Sequence, residues 1–230
     1  MSDPVPAIAH PAATLVLLRD AAAGCEVLLV QRNVRLAFHG GAWVFPGGRI
    51  DAGDYAAAGS RDPAAAARYA AARETCEEAG VRIGAEPLVA FARWLTPENV
   101  PKRFDTWFFA AAATGDDVQV DGGEIHAHQW IRPIDALAAQ RRGELELPPP
   151  TFVTLMQFAD DPTVAQGLAR LARQRFEFFV PLLRFVPEGA CTLYHGDVAY
   201  GGEGLDRPGP RHRLWMLESG WRYERSDSSQ

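Results

Sequence analysis

Hydrophobic positions along the chain fall into short runs with two different periods. The stretches Thr14-Leu15-Val16-Leu17-Leu18 and Val27-Leu28-Leu29-Val30 are dense in aliphatic residues, and Gly24 lies between them. They predict two strands, over 13–18 and 26–31, joined as a hairpin. Apolar runs at 42–45, 88–94, 106–112 and 125–131 predict four more strands. The Ala-rich stretch 63–79 reads as a helix: Asp62 supplies an N-cap, Pro63 suits the first turn, and Gly80 fits just past the end. Helices are also expected over 133–142, closed by Gly143, and over 151–159 and 163–175. The runs 178–186, 191–195 and 213–218 predict a terminal β-hairpin layer, with 201–210 as a flexible loop. Strands interleaved with few helices indicate an α/β protein: a mixed sheet between helical layers. The expected organisation is a loose tail over 1–12, a core over 13–147 and an extension over 148–230 packed on that core.

One of these helices carries the chemistry. Its last turns read Arg73-Glu74-Thr75-Cys76-Glu77-Glu78-Ala79-Gly80-Val81. Residues three and four apart share a helix face, so Glu74, Glu77 and Glu78 crowd together. Like charges at this spacing repel, and the helix dipole is already negative at this end. A solvated acidic surface is the plain alternative. A divalent cation removes the conflict, and hard oxygen ligands suit Mg²⁺ or Mn²⁺. Upstream, an apolar strand runs into Phe45-Pro46-Gly47-Gly48, where glycines permit close backbone approach to a ligand.

Together these two segments resemble the Nudix hydrolases, whose signature is G-x5-E-x7-R-E-U-x-E-E-x-G-U, with U a bulky aliphatic residue. Arg73, Glu74, Glu77, Glu78, Gly80 and Val81 match its second half, with Thr75 at an aliphatic position. Gly48 matches the first glycine, and Asp54 stands where the first Glu is expected. Between Asp54 and Arg73 lie 18 residues where the signature has 7, so about 11 are inserted, expected as a loop over 55–62. Asp51 and Asp62 are alternatives to Asp54. The resemblance implies the Nudix α/β/α sandwich with a mixed β-sheet, extended here by C-terminal helices and strands.

A narrower resemblance covers 28–48. The coenzyme A diphosphatase branch carries LLTxR[SA]x3Rx3Gx3FPGG, and Leu28, Leu29, Arg32, Gly41, Phe45, Pro46, Gly47 and Gly48 fit it in register. Val30, Asn33 and Ala37 depart from it, and Arg35 lies two residues before the second expected Arg. The long insert, Trp94-Leu95-Thr96-Pro97, Arg103-Phe104-Asp105-Thr106 and the extension resemble the larger, peroxisomal-type members of that branch.

By resemblance, Glu77 and Glu78 are metal ligands, and Glu74 is a ligand or the general base. The Gly48 carbonyl completes the metal shell, and Arg73 orients the carboxylates. Glu124, in Gly122-Gly123-Glu124, is a candidate ligand or base, with a surface-loop Glu as its alternative. Arg32, Arg35, Arg103 and Gly47 are candidate substrate contacts. Trp43, Phe104 and Trp107 are candidate stacking partners for a base, and each also reads as core. His39 reads as incidental, and His126 and His128 as a weaker candidate metal pair.

Composition narrows the partners. The chain has 230 residues, 47% of them hydrophobic, and a formal net charge of −6. That charge argues against general nucleic-acid binding. No apolar run reaches membrane-spanning length and no signal peptide is recognisable, so a cytoplasmic protein is expected. The last residues, Ser228-Ser229-Gln230, are not a peroxisomal address. Cys25, Cys76 and Cys191 show no pairing spacing and read as reduced thiols. The expected activity is metal-dependent hydrolysis of the pyrophosphate linkage in a small-molecule nucleotide, coenzyme A or acyl-coenzyme A first. NADH, ADP-ribose and a non-catalytic nucleotide-binding module are the alternatives. A homodimer is expected by resemblance.

Overall fold

The computed structural model describes residues 7–35, 40–83, 88–115, 117–202 and 204–226. Strands β1 (Ala9–Ala21) and β2 (Gly24–Arg32) form the expected antiparallel hairpin, turning at Gly24 with φ 120°. The first strand reaches back to Ala9, into the segment expected to be a loose tail. There Ala9 to Ala12 pair with residues 103–106, and that backbone pairing extends the strand beyond the apolar run. Past their shared end the two strands splay, and a short segment fills the gap. Within it, β3 (Trp43–Val44) pairs with β2, and β4 (Gly47–Arg49) pairs with β1. Gly47 and Gly48 are thereby held inside the sheet.

The insert is not a loop. It begins with helix α1 (Ala52–Ala58), whose ends are chemically defined. Asp51 and Asp54 form a reciprocal capping box, and Gly59 closes the helix at φ 58°. Asp at the third helical position does the work usually given to Glu or Gln. Helix α2 (Pro63–Ala79) follows, capped by the Asp62 side chain and terminated at Gly80, φ 69°. Next come β5 (Val89–Leu95), β6 (Arg103–Ala112), β7 (Ile125–Ile131) and α3 (Pro133–Arg141). The extension adds α4 (Pro149–Phe158), α5 (Val164–Arg173), β8 (Glu177–Phe179), β9 (Leu182–Val186), β10 (Gly189–Leu193), β11 (His212–Leu217) and β12 (Gly220–Arg225).

The main sheet has eight strands, running β3-β2-β1-β6-β5-β8, with β7 on β2 and β4 on β1. It is mixed: β1 and β6 are parallel, as are β5 and β8. Alternation along the strands assigns its two faces. Leu15, Leu17, Leu28 and Val30 pack against Ala66, Ala67, Ala70 and Ala71 of α2. Val16, Leu18, Val27 and Leu29 turn the other way, toward Phe152 and Phe158 of α4 and Leu171 of α5. Small Ala side chains let α2 lie close on the sheet. This is the helix–sheet–helix sandwich of an α/β protein.

The terminal strands depart from a single hairpin layer. Strands β9 to β12 make a separate antiparallel sheet, while β8 leaves it to join the main sheet beside β5. Tyr194 and Leu214 of the extension lie in the same core cluster as Val16 and Phe108. Two residues of the run 201–210, expected as a flexible loop, accept hydrogen bonds from outside it. Val198 N–H donates to the Pro210 carbonyl (3.0 Å), and Arg213 donates to the Leu205 carbonyl (2.7 Å).

Candidate active site

The site is built where α2 crosses the splayed strands. Thr14 Oγ1 donates to the carbonyls of Phe45 (3.2 Å) and Pro46 (2.7 Å), fixing the turn into Gly47. Gly47 N–H then donates to Glu78 Oε2 at 2.9 Å. A Cβ on Gly47 would overlap the Ala13 carbonyl and Thr14, and one on Gly48 would overlap the Glu74 carboxyl group. Both glycines are therefore required by contact rather than by turn geometry alone.

Arg73 organises the acids around it. Its Nε and Nη2 donate to the two Asp54 oxygens (3.0 and 2.9 Å), and Nη2 also donates to the Arg49 carbonyl (3.0 Å). Its Nη1 donates to Glu74 Oε1 and Glu77 Oε2, both at 2.9 Å. The three candidate aspartates thus divide the labour. Asp54 holds Arg73, Asp51 caps α1 and lies 3.8 Å from Arg73, and Asp62 caps α2. Asp54 can do this despite the insert because α1 folds the extra residues back beside α2.

Electrostatics separate the carboxylates. Glu78 is 6% exposed, and burial pushes its pKa up to about 8, against the pull of Gly47 N–H and Arg32. The charges of Glu74 and Glu124 push it further up. Burial also raises Glu74, against Arg73, with Glu77 and Glu124 adding repulsion. Burial works to raise Asp54 as well, but the Arg73 and Asp51 hydrogen bonds hold it below its usual range. Arg73 is raised by its bonds to Asp54, which keeps it charged throughout.

Crowded carboxylates of this kind fit a hard divalent cation, which would offset both the burial that chiefly raises Glu74 and Glu78 and the repulsion that adds to it. The Glu74 carboxyl group lies against the Gly48 backbone, filling the space a Cβ would take there. Among the described residues, no three His, Cys, Asp or Glu groups already converge as a finished ion cage. Glu77, 59% exposed and paired with Arg73, has room to swing.

The remaining candidates scatter. Arg32, at the end of β2, stands by the site: its charge acts on Glu78, and its Nε is buried without a hydrogen-bond partner. Glu124 is exposed at the start of β7, and its charge reaches Glu74 and Glu78. Its backbone is pinned by Asn33, whose N–H donates to the Glu124 carbonyl (2.8 Å) and whose Nδ2 donates to the Gly123 carbonyl (3.0 Å). Asp121 accepts from Glu124 and Ile125 N–H (3.0 and 2.9 Å). Asn33, Asp121 and Thr14 were missed by sequence reasoning. Only Asp121 left a signal there, as the first residue of an Asp-Gly-Gly turn.

Arg35 is exposed on the turn after β2, its backbone N–H bonded to Asn33 Oδ1 (3.1 Å). Arg103 is committed to the fold instead of to a ligand. It is 7% exposed and donates to the carbonyls of Thr96 (3.1 Å) and Ala7 (2.9 Å). His126 and His128 are both exposed on β7. His39 and Ala37 lie outside the described residues. Cys76 is exposed, and Cys25 and Cys191 are buried; all three are free.

A family model described as NUDIX domain matches residues 9–149. The chain belongs to the NUDIX family. Nudix enzymes are pyrophosphohydrolases acting on nucleoside diphosphate derivatives, generally with divalent metal ions. Among curated relatives, human acyl-coenzyme A diphosphatase NUDT19 is 29% identical over 117 residues, covering 48% of this chain and 31% of that protein. Putative nudix hydrolase 7 of Caenorhabditis elegans is 26% identical over 171 residues, covering 58% and 56%. The chain therefore spans from 31% to 56% of the length of these relatives. Among solved structures, a NUDIX hydrolase from Alicyclobacillus acidocaldarius superposes with a TM-score of 0.66 at 26% identity, covering 73% of this chain and 99% of that one. No helix among the described residues of this Nudix protein is long and apolar enough to cross a membrane.

Proposed function

We propose that this Nudix protein is a Mg²⁺- or Mn²⁺-dependent hydrolase of coenzyme A or acyl-coenzyme A. It would cleave the pyrophosphate linkage to give adenosine 3′,5′-bisphosphate and a 4′-phosphopantetheine. The observation that carries this reading is the place of Arg32. It is the Arg of the coenzyme A-like run, and it stands beside Glu78 with its Nε buried and unpartnered. A guanidinium so placed suits a phosphate oxygen by charge and by geometry. The likeness to acyl-coenzyme A diphosphatase NUDT19 supports the same substrate class.

Glu77, Glu78 and Glu74, with the Gly48 carbonyl, would hold the metal ion. Bound there, the ion supplies charge neutralisation and a more acidic water. Arg73 is a positioning residue: clamped by Asp54, it fixes Glu74 and Glu77. Glu74 or Glu124 would take a proton from the attacking water. Gly47 keeps its N–H on Glu78, which orients that carboxylate. Arg32, joined by Arg35, would hold substrate phosphates.

Ala37 stands where the coenzyme A run has its second Arg, and this favours a second reading, a pyrophosphatase of NADH, ADP-ribose or a similar nucleoside diphosphate derivative. Mass spectrometry of products decides between them. The protein is offered coenzyme A, acyl-coenzyme A, NADH and ADP-ribose, each with Mg²⁺, Mn²⁺ or EDTA. Metal-dependent adenosine 3′,5′-bisphosphate is the expected product. AMP from NADH or ADP-ribose, with coenzyme A untouched, would establish the second reading. A folded protein that turns over none of them would be a binding module.

A further inference from the structure

The loop that carries Glu124 and the turn that carries Arg35 are joined at one residue, Asn33. Along the β2–β7 ladder the register is steady from Val27 opposite Ile131 to Gln31 opposite Ala127. Arg32 then lies opposite Ile125, so His126 is an extra residue in β7. A bulge of this kind re-aims whatever follows it. Without it Asn33 would meet Ile125. With it Asn33 meets Glu124, and its N–H donates to the Glu124 carbonyl at 2.8 Å. Ile125 is fully buried in the core cluster that α2 shares, which anchors this end of β7 on the carboxylate side of the sheet.

The Asn33 side chain uses both ends of its amide. Nδ2 donates to the Gly123 carbonyl (3.0 Å), and Oδ1 accepts the Arg35 N–H (3.1 Å). An amide of this length offers a donor and an acceptor from one planar group. Asp121 works on the same loop: its carboxylate accepts the N–H groups of Glu124 and Ile125 at 3.0 and 2.9 Å. The peptide groups on both sides of Glu124 are thus tied by side chains, although residues 121–124 are all exposed. A surface Gly-Gly loop is ordinarily among the freest parts of a chain. Fixing one here serves the side chain it carries, and the Glu124 charge acts on both Glu74 and Glu78.

We infer that Asn33 is a positioning residue, which holds the Glu124 loop against the carboxylate cluster of α2 and ties it to the turn bearing Arg35. The acid and the proposed phosphate arm then keep one spacing; the inference rests on the metal-dependent hydrolase reading above. Asn33 is one of the departures from the coenzyme A-like run, which has Ser or Ala at this position. Neither of those side chains could bridge both partners. The departure therefore adds a contact at the site.

The test combines Asn33→Ala with Glu124→Gln, singly and together. Mn²⁺ affinity of the substrate-free protein is read by electron paramagnetic resonance, and steady-state rates are measured on whichever nucleotide the wild type hydrolyses. Glu124→Gln removes a negative charge beside the cluster and should weaken Mn²⁺ binding. Asn33→Ala should weaken it too, by up to roughly tenfold. The double variant should be no weaker than Glu124→Gln alone, and kcat should follow the same pattern. A third variant separates the two ends of the amide. Asn33→Ser keeps a hydroxyl that can accept the Arg35 N–H but falls short of Gly123. It should lower kcat with KM little changed, whereas Asn33→Ala should also raise KM. Losses that add in the double variant overturn the inference, for Asn33 then acts other than through Glu124. So does a Mn²⁺ affinity that either single variant leaves untouched. If no nucleotide is hydrolysed, the proposed function fails on its own. The Mn²⁺ measurements still decide the role of Asn33: non-additive losses sustain it, and additive or absent losses overturn it.

Discussion

Glu78 is a carboxylate buried beside two others, and a fold would not keep it for stability's sake. Glu78→Gln preserves its shape while removing the charge that burial penalises. Turnover should fall by roughly 10²–10³-fold. The metal-free protein should nonetheless melt a few degrees higher, since about 1 kcal/mol is worth 2–4 °C at this size. Steady-state rates and differential scanning calorimetry check the pair, and a variant that keeps near-normal rates would remove Glu78 from the metal site. Asp54 makes a different case. Among the described residues its side chain bonds to Arg73 and Asp51, so Asp54→Asn should act through the orientation of Glu74 and Glu77. The expected signature is a kcat loss of about 10- to 100-fold with KM little changed. A raised KM at full kcat would show that Arg73 serves binding instead.

At the scale of elements, α2 was readable to the residue because its boundary chemistry is local: Asp62-Pro63 starts it and Gly80 stops it. The carboxylate cluster was readable for the same reason, since helical spacing alone gathers Glu74, Glu77 and Glu78. Strand β4 was invisible, because Gly47-Gly48 has no strand propensity and becomes strand only by pairing with β1. Helix α1 was missed because its cap uses Asp54 at a position where Glu or Gln is the usual cue. Which of Asp51, Asp54 and Asp62 stands in for the first signature Glu was left open because chain distance says nothing of a helix that folds back. Arg103 looked like a phosphate ligand until its carbonyl partners, Thr96 across the β5–β6 turn and the distant Ala7, could be seen. The two β4 glycines should separate fold from chemistry. Gly47→Ala drives a Cβ into the β1 backbone, which cannot retreat, and should cost about 1–3 kcal/mol in urea unfolding. Gly48→Ala pushes on a movable side chain, Glu74, and should lose activity at little cost in stability. The reverse order of effects would show that Glu74 is not held against β4.

Across the whole molecule, the second sheet is anchored by one buried ion pair. Arg213 and Asp197 are 1% and 0% exposed at the side chain and meet at 2.6 and 2.7 Å. Burial works to raise Asp197, but Arg213 and the N–H groups of His212 and Ala199 hold it below its usual range. A depressed carboxylate stabilises the fold above its unfolded pKa, about 3.9, and loses that contribution as pH falls through its folded value. Asp197→Asn, which strands a buried Arg, should therefore cost about 3–5 kcal/mol near pH 7. The gap to wild type should narrow below about pH 4, and urea titrations at several pH values would reveal a constant gap if the pair were irrelevant. Strand β8 carries a further consequence. The NUDIX match ends at residue 149, yet β8 shields the flank of β5, and Phe158, Phe179 and Tyr194 fill the same core as β1. A gene cut at 149 would encode every signature residue together with an open, sticky sheet edge and a hollowed interior. Such a fragment should aggregate on expression, so trimming this protein to its motif would turn a folded chain into an insoluble one.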